Sequence, residues 1–278
     1  MTDSTLTQPT ADQRAQLNYI QWKEDFKTEK PYEVISDMPE GHKRRNFTLE
    51  AGPEEVIRDV RGSEAAFNLD DNGFEVRRHE MAIRSFDPNT IESHYLPSIM
   101  SLLQEIDPGA EVHVFDWRLR SSNKTKTTHK LGTLLDLNSK ELILEPVQAV
   151  HNDQSPRGAI KRVRTEMGPR ADELLNRRFR IINTVPPEKL LAVDHVRKYH
   201  IGESLYPLYC DTSRWYYLNG QSKDEALLFK TYDSSPKAAA KCCPHTSFHQ
   251  HQSGPLGHPR ETIEVRALVF SRDDGLSA

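Results

Sequence analysis

The sequence is poor in cysteine: Cys210, Cys242 and Cys243 are its only three. So few, in odd number, make no disulfide framework. They fit a reducing compartment, and a cytoplasmic location is expected. No stretch approaches 18 apolar residues, which excludes a transmembrane helix. The opening residues, MTDSTLTQPTADQRAQ, have neither the basic start nor the apolar run of a secretory leader, and none is expected. Positive charge is not in excess either. A formal net charge of −4 over 278 residues argues against a nucleic-acid binder that works through a broad basic surface. There is no GxGxxG, no repeating strand–helix–strand rhythm and no internal repeat, so a dinucleotide-binding α/β domain is disfavoured.

What is there is a globular chain, 36% hydrophobic and 28% charged, of a length that suits one large domain. Residues 1–16 are polar and are expected to be a disordered tail. Residues 17–278 are expected to form a single domain with an irregular, aromatic N-terminal arm over 17–45 and flanking helices. Apolar residues recur at helical spacing from Thr90 to Ile106. Arg157–Asn176 predicts a second helical stretch, broken at Gly168-Pro169. Elsewhere the pattern predicts strands at Phe47–Leu49, Val56–Val60, Glu111–Leu119, Leu142–Val150, Arg178–Thr184, Leu190–Val193 and Thr262–Phe270. Arg214–Leu218 and Glu225–Thr231 read as a hairpin around Asn219-Gly220. Asp70-Asp71-Asn72-Gly73 predicts a turn and 121–140 a polar loop. Many short strands and few helices predict a mainly β fold with flanking helices, a double-stranded β-helix or jelly roll.

The chemistry-bearing residues come in three groups. His151-Asn152-Asp153 follows a predicted strand. Residues i and i+2 of a strand face the same way, so one imidazole and one carboxylate converge, two of the three ligands of a facial triad that leaves open positions on Fe(II). About one such pair arises by chance in a chain of this composition, and its bland reading is a surface histidine beside a turn aspartate. The second group is Cys242-Cys243-Pro244-His245-Thr246-Ser247-Phe248-His249-Gln250-His251. His245 is the candidate third ligand. A zinc site drawn from Cys242, Cys243, His245, His249 and His251 is the rival, but adjacent cysteines lack the usual spacing. The cysteine pair is read as buried rather than redox-reactive. The third group is Arg260-Glu261-Thr262, opening the last predicted strand. A guanidinium can grip a carboxylate through two parallel hydrogen bonds; Thr262 adds a hydroxyl, and Arg266 shares its face by strand parity. Either arginine can anchor the far carboxylate of 2-oxoglutarate, and the bland reading is an exposed ion pair with Glu261 or Glu264. Gln148 and Asn183 are candidate co-substrate contacts. Trp117, Trp215, Tyr216 and Tyr217 are candidate pocket walls, though aromatic residues on strands are more often core.

The set VRGSEAAFNLDDNGFEV, HVFDWRLR, VHNDQS, RFRIINTV, SRWYYL, DEALLFKTYDS, CCPHTSF and PRETIEVRALVF, spread over about residues 50–270, resembles the fungal hydroxylase/desaturase family. That family includes the aspergillic acid hydroxylase, gibberellin-type desaturases and the novofumigatonin endoperoxide synthase. The resemblance implies a jelly roll that uses Fe(II), 2-oxoglutarate and O₂ to tailor a small-molecule natural product by hydroxylation, desaturation, cyclisation or endoperoxidation. It puts His151, Asp153 and His245 at the metal, and Arg260 and Arg266 in the terminal arginine-rich strand. The chain departs from the family after Asn183, where Thr184-Val185-Pro186-Pro187 replaces a tryptophan-arginine-proline motif, which implies an altered pocket. Two other readings stay open: a non-redox isomerase or cyclase on the same scaffold, and a cupin-like metal- or sugar-binding module. The arm at 17–45 and the loop at 121–140 can cover the site or a partner subunit, so a homodimer is among the expected assemblies.

Overall fold

The computed structural model describes residues 12–35, 41–81, 83–127, 139–182, 190–197, 201–249 and 259–272. In chain order the strands are β1 (Gln13–Ile20), β2 (Tyr32–Val34), β3 (Leu49–Asp59), β4 (Phe74–Arg78), β5 (Glu111–Ser121), β6 (Ile143–Leu144), β7 (Phe179–Ile181), β8 (Leu190–Val196), β9 (Ile201–Pro207), β10 (Trp215–Tyr217), β11 (Glu225–Phe229), β12 (Tyr232–Asp233) and β13 (Glu261–Phe270). The helices are α1 (Pro88–Thr90), running through a π turn at Ile91–Tyr95 into α2 (Leu96–Ile106), then α3 (Pro156–Met167) and α4 (Ala171–Leu175). The molecule is mainly β with a few helices, as expected. Among the described residues no helix is long and apolar enough to cross a membrane.

One sheet runs β12-β7-β13-β5-β6. Facing it is a discontinuous layer: β8 pairs with β9, Asn152 bridges to Leu205, and His151 bridges to His245. A β1-β3-β10 sheet and a β4-β11 pair complete the body. The central strand is β13, and its alternation explains the layering. Val265, Ala267 and Val269 point outward with Trp117 and Val112 of β5. There they meet Ile91, Tyr95, Ile99, Leu102 and Leu103, the apolar stripe of the helix over 88–106. Leu268 and Phe270 point inward with Phe179 and Ile181, onto Ala159 and Val163 of α3 and Leu174 of α4. Full burial of each large apolar side chain stabilises by roughly 1.5–3 kcal/mol. The β5–β13 register slips between Arg266 and Ala267 because β5 carries one extra residue there, Phe115. That bulge lets Phe115 join the inward apolar cluster while Asp116 stays opposite Arg266.

Several expectations need correction. Residues 13–16 are not tail but the first half of β1. Ala15, Leu17 and Tyr19 alternate along it and are buried, so the polar residues between them merely occupy the other face. Residues 1–11 lie outside the described residues. The arm at 17–45 is not irregular, since β1 and β2 both fall in it. The two short strands expected at Phe47–Leu49 and Val56–Val60 are one strand, β3. Its Pro53 is tolerated because the β1 register shifts there, between Gln16 and Asn18. The predicted strand over 142–150 shrinks to β6 plus single bridges. The hairpin around Asn219-Gly220 is absent: β10 pairs with β3 and β11 with β4, so long-range partners outcompete the local one. β9 was not anticipated. The turn before β4 is as expected, with Gly73 at φ +81°, and Gly168 ends α3.

Candidate metal centre

Short-range order around His151-Asn152-Asp153 begins with its middle residue. Asn152 is fully buried, and its amide donates to the carbonyls of Gln154 (2.6 Å) and Thr231 (3.1 Å). Ser155 then caps α3, its hydroxyl oxygen accepting from Gly158 N–H at 2.9 Å, with Pro156 in the first turn. Glycine is required at 158, because a Cβ there would lie 2.6 Å from the Glu203 carbonyl. The strand-to-helix exit is thereby fixed, and Asp153 with it.

The bridge between His151 and His245 consists of two backbone hydrogen bonds, 3.1 and 2.9 Å, which stack the imidazoles with ring centroids 4.3 Å apart. Each ring also meets a backbone carbonyl through Nδ1: His151 at Ala149 (2.8 Å) and His245 at Cys243 (3.3 Å). Nδ1–H donation to a carbonyl leaves Nε2 as the free donor atom of each ring. Asp153 Oδ1 lies 3.6 Å from His151 Nε2, while Oδ2 accepts from Arg266 Nε at 2.7 Å. One ligand atom from each of His151, Asp153 and His245 thus falls within 4.8 Å of the others, the sole such group among the described residues. The protonation states suit a cation. Burial pushes His245 down to about 3, so its imidazole is neutral. Burial alone would raise Asp153, but the Arg266 guanidinium overrides it and holds the carboxylate well below its ordinary range. Two imidazoles, each with Nδ1 turned to a backbone carbonyl, and one carboxylate make a donor set that fits Fe(II).

Beside this trio the inward face of β13 is charged rather than apolar. Thr262, Glu264 and Arg266 stand opposite Arg120, Arg118 and Asp116 of β5. Arg120 donates to Glu264 (2.7 Å), Arg266 to Asp116 and Glu264 (3.3 Å each), and Lys140 to Asp116 (2.7 Å). Thr262 Oγ1 is buried and has no hydrogen-bond partner among the described residues, which marks room for a polar ligand group. Arg260 is exposed, and its guanidinium makes no hydrogen bond or ion pair among the described residues. Of the predicted site residues, His151, Asp153 and His245 are grouped and Arg266 bonds Asp153, whereas Thr262 stands four residues from Arg266 along β13 and Arg260 just precedes that strand.

Other candidates fall away. Alternation puts Gln148 on the face opposite to His151, where its amide meets His249 at 2.7 Å. Asn183 and His251 lie outside the described residues. Trp117 is core against the helix, with Nε1 on Glu92. Trp215 packs at β1 and β3 and donates to Glu55 (3.1 Å). Tyr217 stacks edge-on with Phe248, and Tyr216 with Phe67. None of the four lines the trio. The aromatics that do are Phe229, 4.9 Å from His245, and Tyr206, 6.2 Å from His151; neither was anticipated. Asp116, Arg118 and Arg120 were also missed, although their i, i+2, i+4 spacing was visible. Burial pushes the Cys242 and Cys243 thiols up, Cys243 to about 12. No cysteine joins the histidines in a metal group among the described residues. A groove of about 420 Å³ is lined by Tyr206 together with Asn18, Glu33, Arg45, Leu49, Val147, Gln148 and Ala149.

With this geometry in hand, known proteins can be compared. A family model described as an oxidoreductase/YMDC permease-like domain matches residues 17–184 and 182–270. The hydroxylase/desaturase efuI of Hormonema carpetanum is 29% identical over 250 residues, 78% of this chain and 83% of that protein. The Fe(II)/2-oxoglutarate-dependent dioxygenase nvfI of Aspergillus novofumigatus is 26% identical, covering 87% of this chain and 91% of its own length. A solved structure of the iron and alpha-ketoglutarate-dependent endoperoxidase NvfI superposes with a TM-score of 0.78 over 94% of this chain and 98% of that one, at 23% identity.

Proposed function

Because the chain belongs to the oxidoreductase/YMDC permease-like family, we propose that it is an Fe(II)- and 2-oxoglutarate-dependent oxygenase that oxidatively tailors a small-molecule natural product. The observation that carries this reading is the convergence of one ligand atom each from His151, His245 and Asp153 within 4.8 Å. Each is oriented by a bond from its other heteroatom. The names of the relatives support it. So does the strand order: β12-β7-β13-β5 faces β8–β9, the His151 segment and the His245 segment, as two sheets of a double-stranded β-helix would. Residues 17–278 are read as one domain, extended backwards to take in β1. Three cysteines with no disulfide between them among the described residues fit a cytoplasmic location.

Bound at this centre, Fe(II) with 2-oxoglutarate and O₂ supplies oxidative decarboxylation coupled to oxidation of a substrate carbon. The chain's own residues do the rest. His151, His245 and Asp153 would hold the ion, the donor set of a facial triad that leaves room for co-substrate. Thr262, with Arg260 or Arg266, is placed to receive the far carboxylate of the co-substrate. Phe229 and Tyr206 wall the imidazoles and keep water from them. The groove lined by Tyr206 has the volume of a small-molecule site.

The test is anaerobic addition of Fe(II) and then 2-oxoglutarate to metal-free protein. A weak visible band near ~500 nm marks chelation of the keto acid on a facial-triad ion, and His151→Ala and Asp153→Ala are expected to abolish it. Iron bound without the band would defeat the co-substrate reading and favour a non-redox cyclase.

A further inference from the structure

Arg266 is hydrogen-bonded to three carboxylates at once. Its Nε donates to Asp153 Oδ2 at 2.7 Å, Nη1 to Asp116 Oδ2 at 3.3 Å and Nη2 to Glu264 Oε2 at 3.3 Å. Its partners are themselves braced. Asp116 Oδ1 is held by Lys140 (2.7 Å) and Arg118 (3.2 Å). Glu264 Oε1 is held by Arg120 (2.7 Å). The guanidinium therefore has one orientation, fixed from both β5 and β13, and in it Nε points at the metal trio.

A carboxylate on a free side chain can turn about its last bond and present either oxygen, or both, to a cation. Asp153 cannot, because Oδ2 is spent on Arg266 while Oδ1 faces His151 Nε2 at 3.6 Å. We propose that Arg266 is a positioning residue that makes Asp153 a one-oxygen ligand, and that it is not the anchor of the co-substrate's far carboxylate. The proposal rests on the iron and 2-oxoglutarate reading above and divides the labour of its two arginines. A fourth carboxylate at Arg266 would crowd the three already there, and like charges at such range repel. That leaves the far carboxylate to the Thr262 end of β13, four residues away along the inward face. There the Oγ1 atom is buried without a partner and Arg260 precedes it. Lysine is no substitute at 266, since a single ammonium cannot span three carboxylates in the planar fork geometry of a guanidinium.

The experiment compares wild type, Arg266→Gln and Arg266→Lys for anaerobic Fe(II) affinity, by competition with a chelator. At saturating iron it then compares 2-oxoglutarate with 2-oxobutyrate, which has the same chelating head but no far carboxylate. Arg266→Gln is expected to weaken Fe(II) binding by about 10–100-fold, as loss of a group supporting a ligand does. Its preference for 2-oxoglutarate over 2-oxobutyrate should stay at the wild-type value. Arg266→Lys is expected to bind iron with intermediate affinity and the same preference, and it serves if the glutamine variant fails to fold. Unchanged iron affinity with a collapsed preference would overturn the proposal and make Arg266 the anchor. Wild-type protein that binds no Fe(II) would remove the underlying reading as well. Wild type that binds iron but shows no preference between the keto acids would defeat only the co-substrate part of that reading.

Discussion

Two clusters of buried charge lie in this molecule, and they are built differently. In the first, Lys230 and Asp233 have fully buried side chains and pair at 2.6 Å. Lys230 also reaches the Ala240 carbonyl (3.0 Å) and Asp70 (3.4 Å). Arg178 grips Asp233 through Nε (3.1 Å) and Nη2 (2.6 Å) and adds Asp70 at 2.5 Å. Ser235 N–H closes the last position on Asp233 at 2.9 Å. Two cations meet two anions. The second cluster surrounds Arg266. Among the described residues four cations, Arg118, Arg120, Lys140 and Arg266, meet three anions, Asp116, Asp153 and Glu264, and Thr262 Oγ1 has no partner there. Taking charges out of water costs several kcal/mol each unless they are matched. A matched, closed cluster ties chain segments together. An unmatched cluster with an orphan hydroxyl is one that awaits anionic and polar atoms from outside.

The sharpest way to break this contrast is Asp233→Asn. It leaves Lys230 buried without its main counter-charge and should cost about 3–5 kcal/mol of stability, read by denaturant unfolding. Fe(II) affinity of the folded protein should not change. A loss of iron binding as large as that of a ligand mutant would show that the two clusters are one.

A smaller effect concerns the edge of the second cluster. His195 lies against Tyr206, 6.0 Å between ring centroids, on the same inward face. Burial, and then the charge of Arg197, lower it to about 4, against about 6.5 in an unfolded chain. Between those values the unfolded chain holds a proton that the folded one refuses. Stability therefore falls as pH drops from about 6.5 towards 4, with a slope of at most about 1.4 kcal/mol per pH unit from this group. His195→Gln should flatten that part of a pH series of unfolding curves. An unchanged slope would show that His195 takes up its proton in the folded state.

The smallest effect sharpens the contrast from the other side. Thr262→Val removes a buried hydroxyl that bonds nothing, so unfolding should show no loss of stability. Affinity for 2-oxoglutarate should drop about tenfold, the ~1.4 kcal/mol of one hydrogen bond to a charged group. A variant that loses stability instead would mean that the hydroxyl has a structural partner.

The pairing of His151 with Asp153 and the alternation of β13 were legible because their signals are local or sit in a long strand. His151 and Asp153 are two apart on an extended segment, and β13 alternates over ten residues. Tyr206 was not legible, because β9 reads as IGESLYP, with glycine and proline at its ends and no clean alternation. Phe229 was legible as a strand residue but not as a neighbour of His245, since that contact depends on how distant segments pair. The same cause undid the hairpin at Asn219-Gly220. In β1 the failure was one of emphasis: glutamine and asparagine drew the eye, while Ala15, Leu17 and Tyr19 carried the fold. The charged face of β5 was read through Trp117, the outward residue, and so Asp116, Arg118 and Arg120 went unassigned.

One feature of the facing layer bears on supply rather than shape. β13 is laddered to β5 along its whole length, but the segment bearing His151 and Asp153 is stitched by single bridges, to Asn18, His245 and Leu205. An ion bound by His151, Asp153 and His245 is therefore a cross-link between two thinly held segments, and its binding free energy becomes part of their local stability. By mass action that contribution grows with free metal concentration relative to the dissociation constant. On the proposed reading, metal removal should loosen these two segments before the rest of the fold, a change that hydrogen exchange with and without Fe(II) would report.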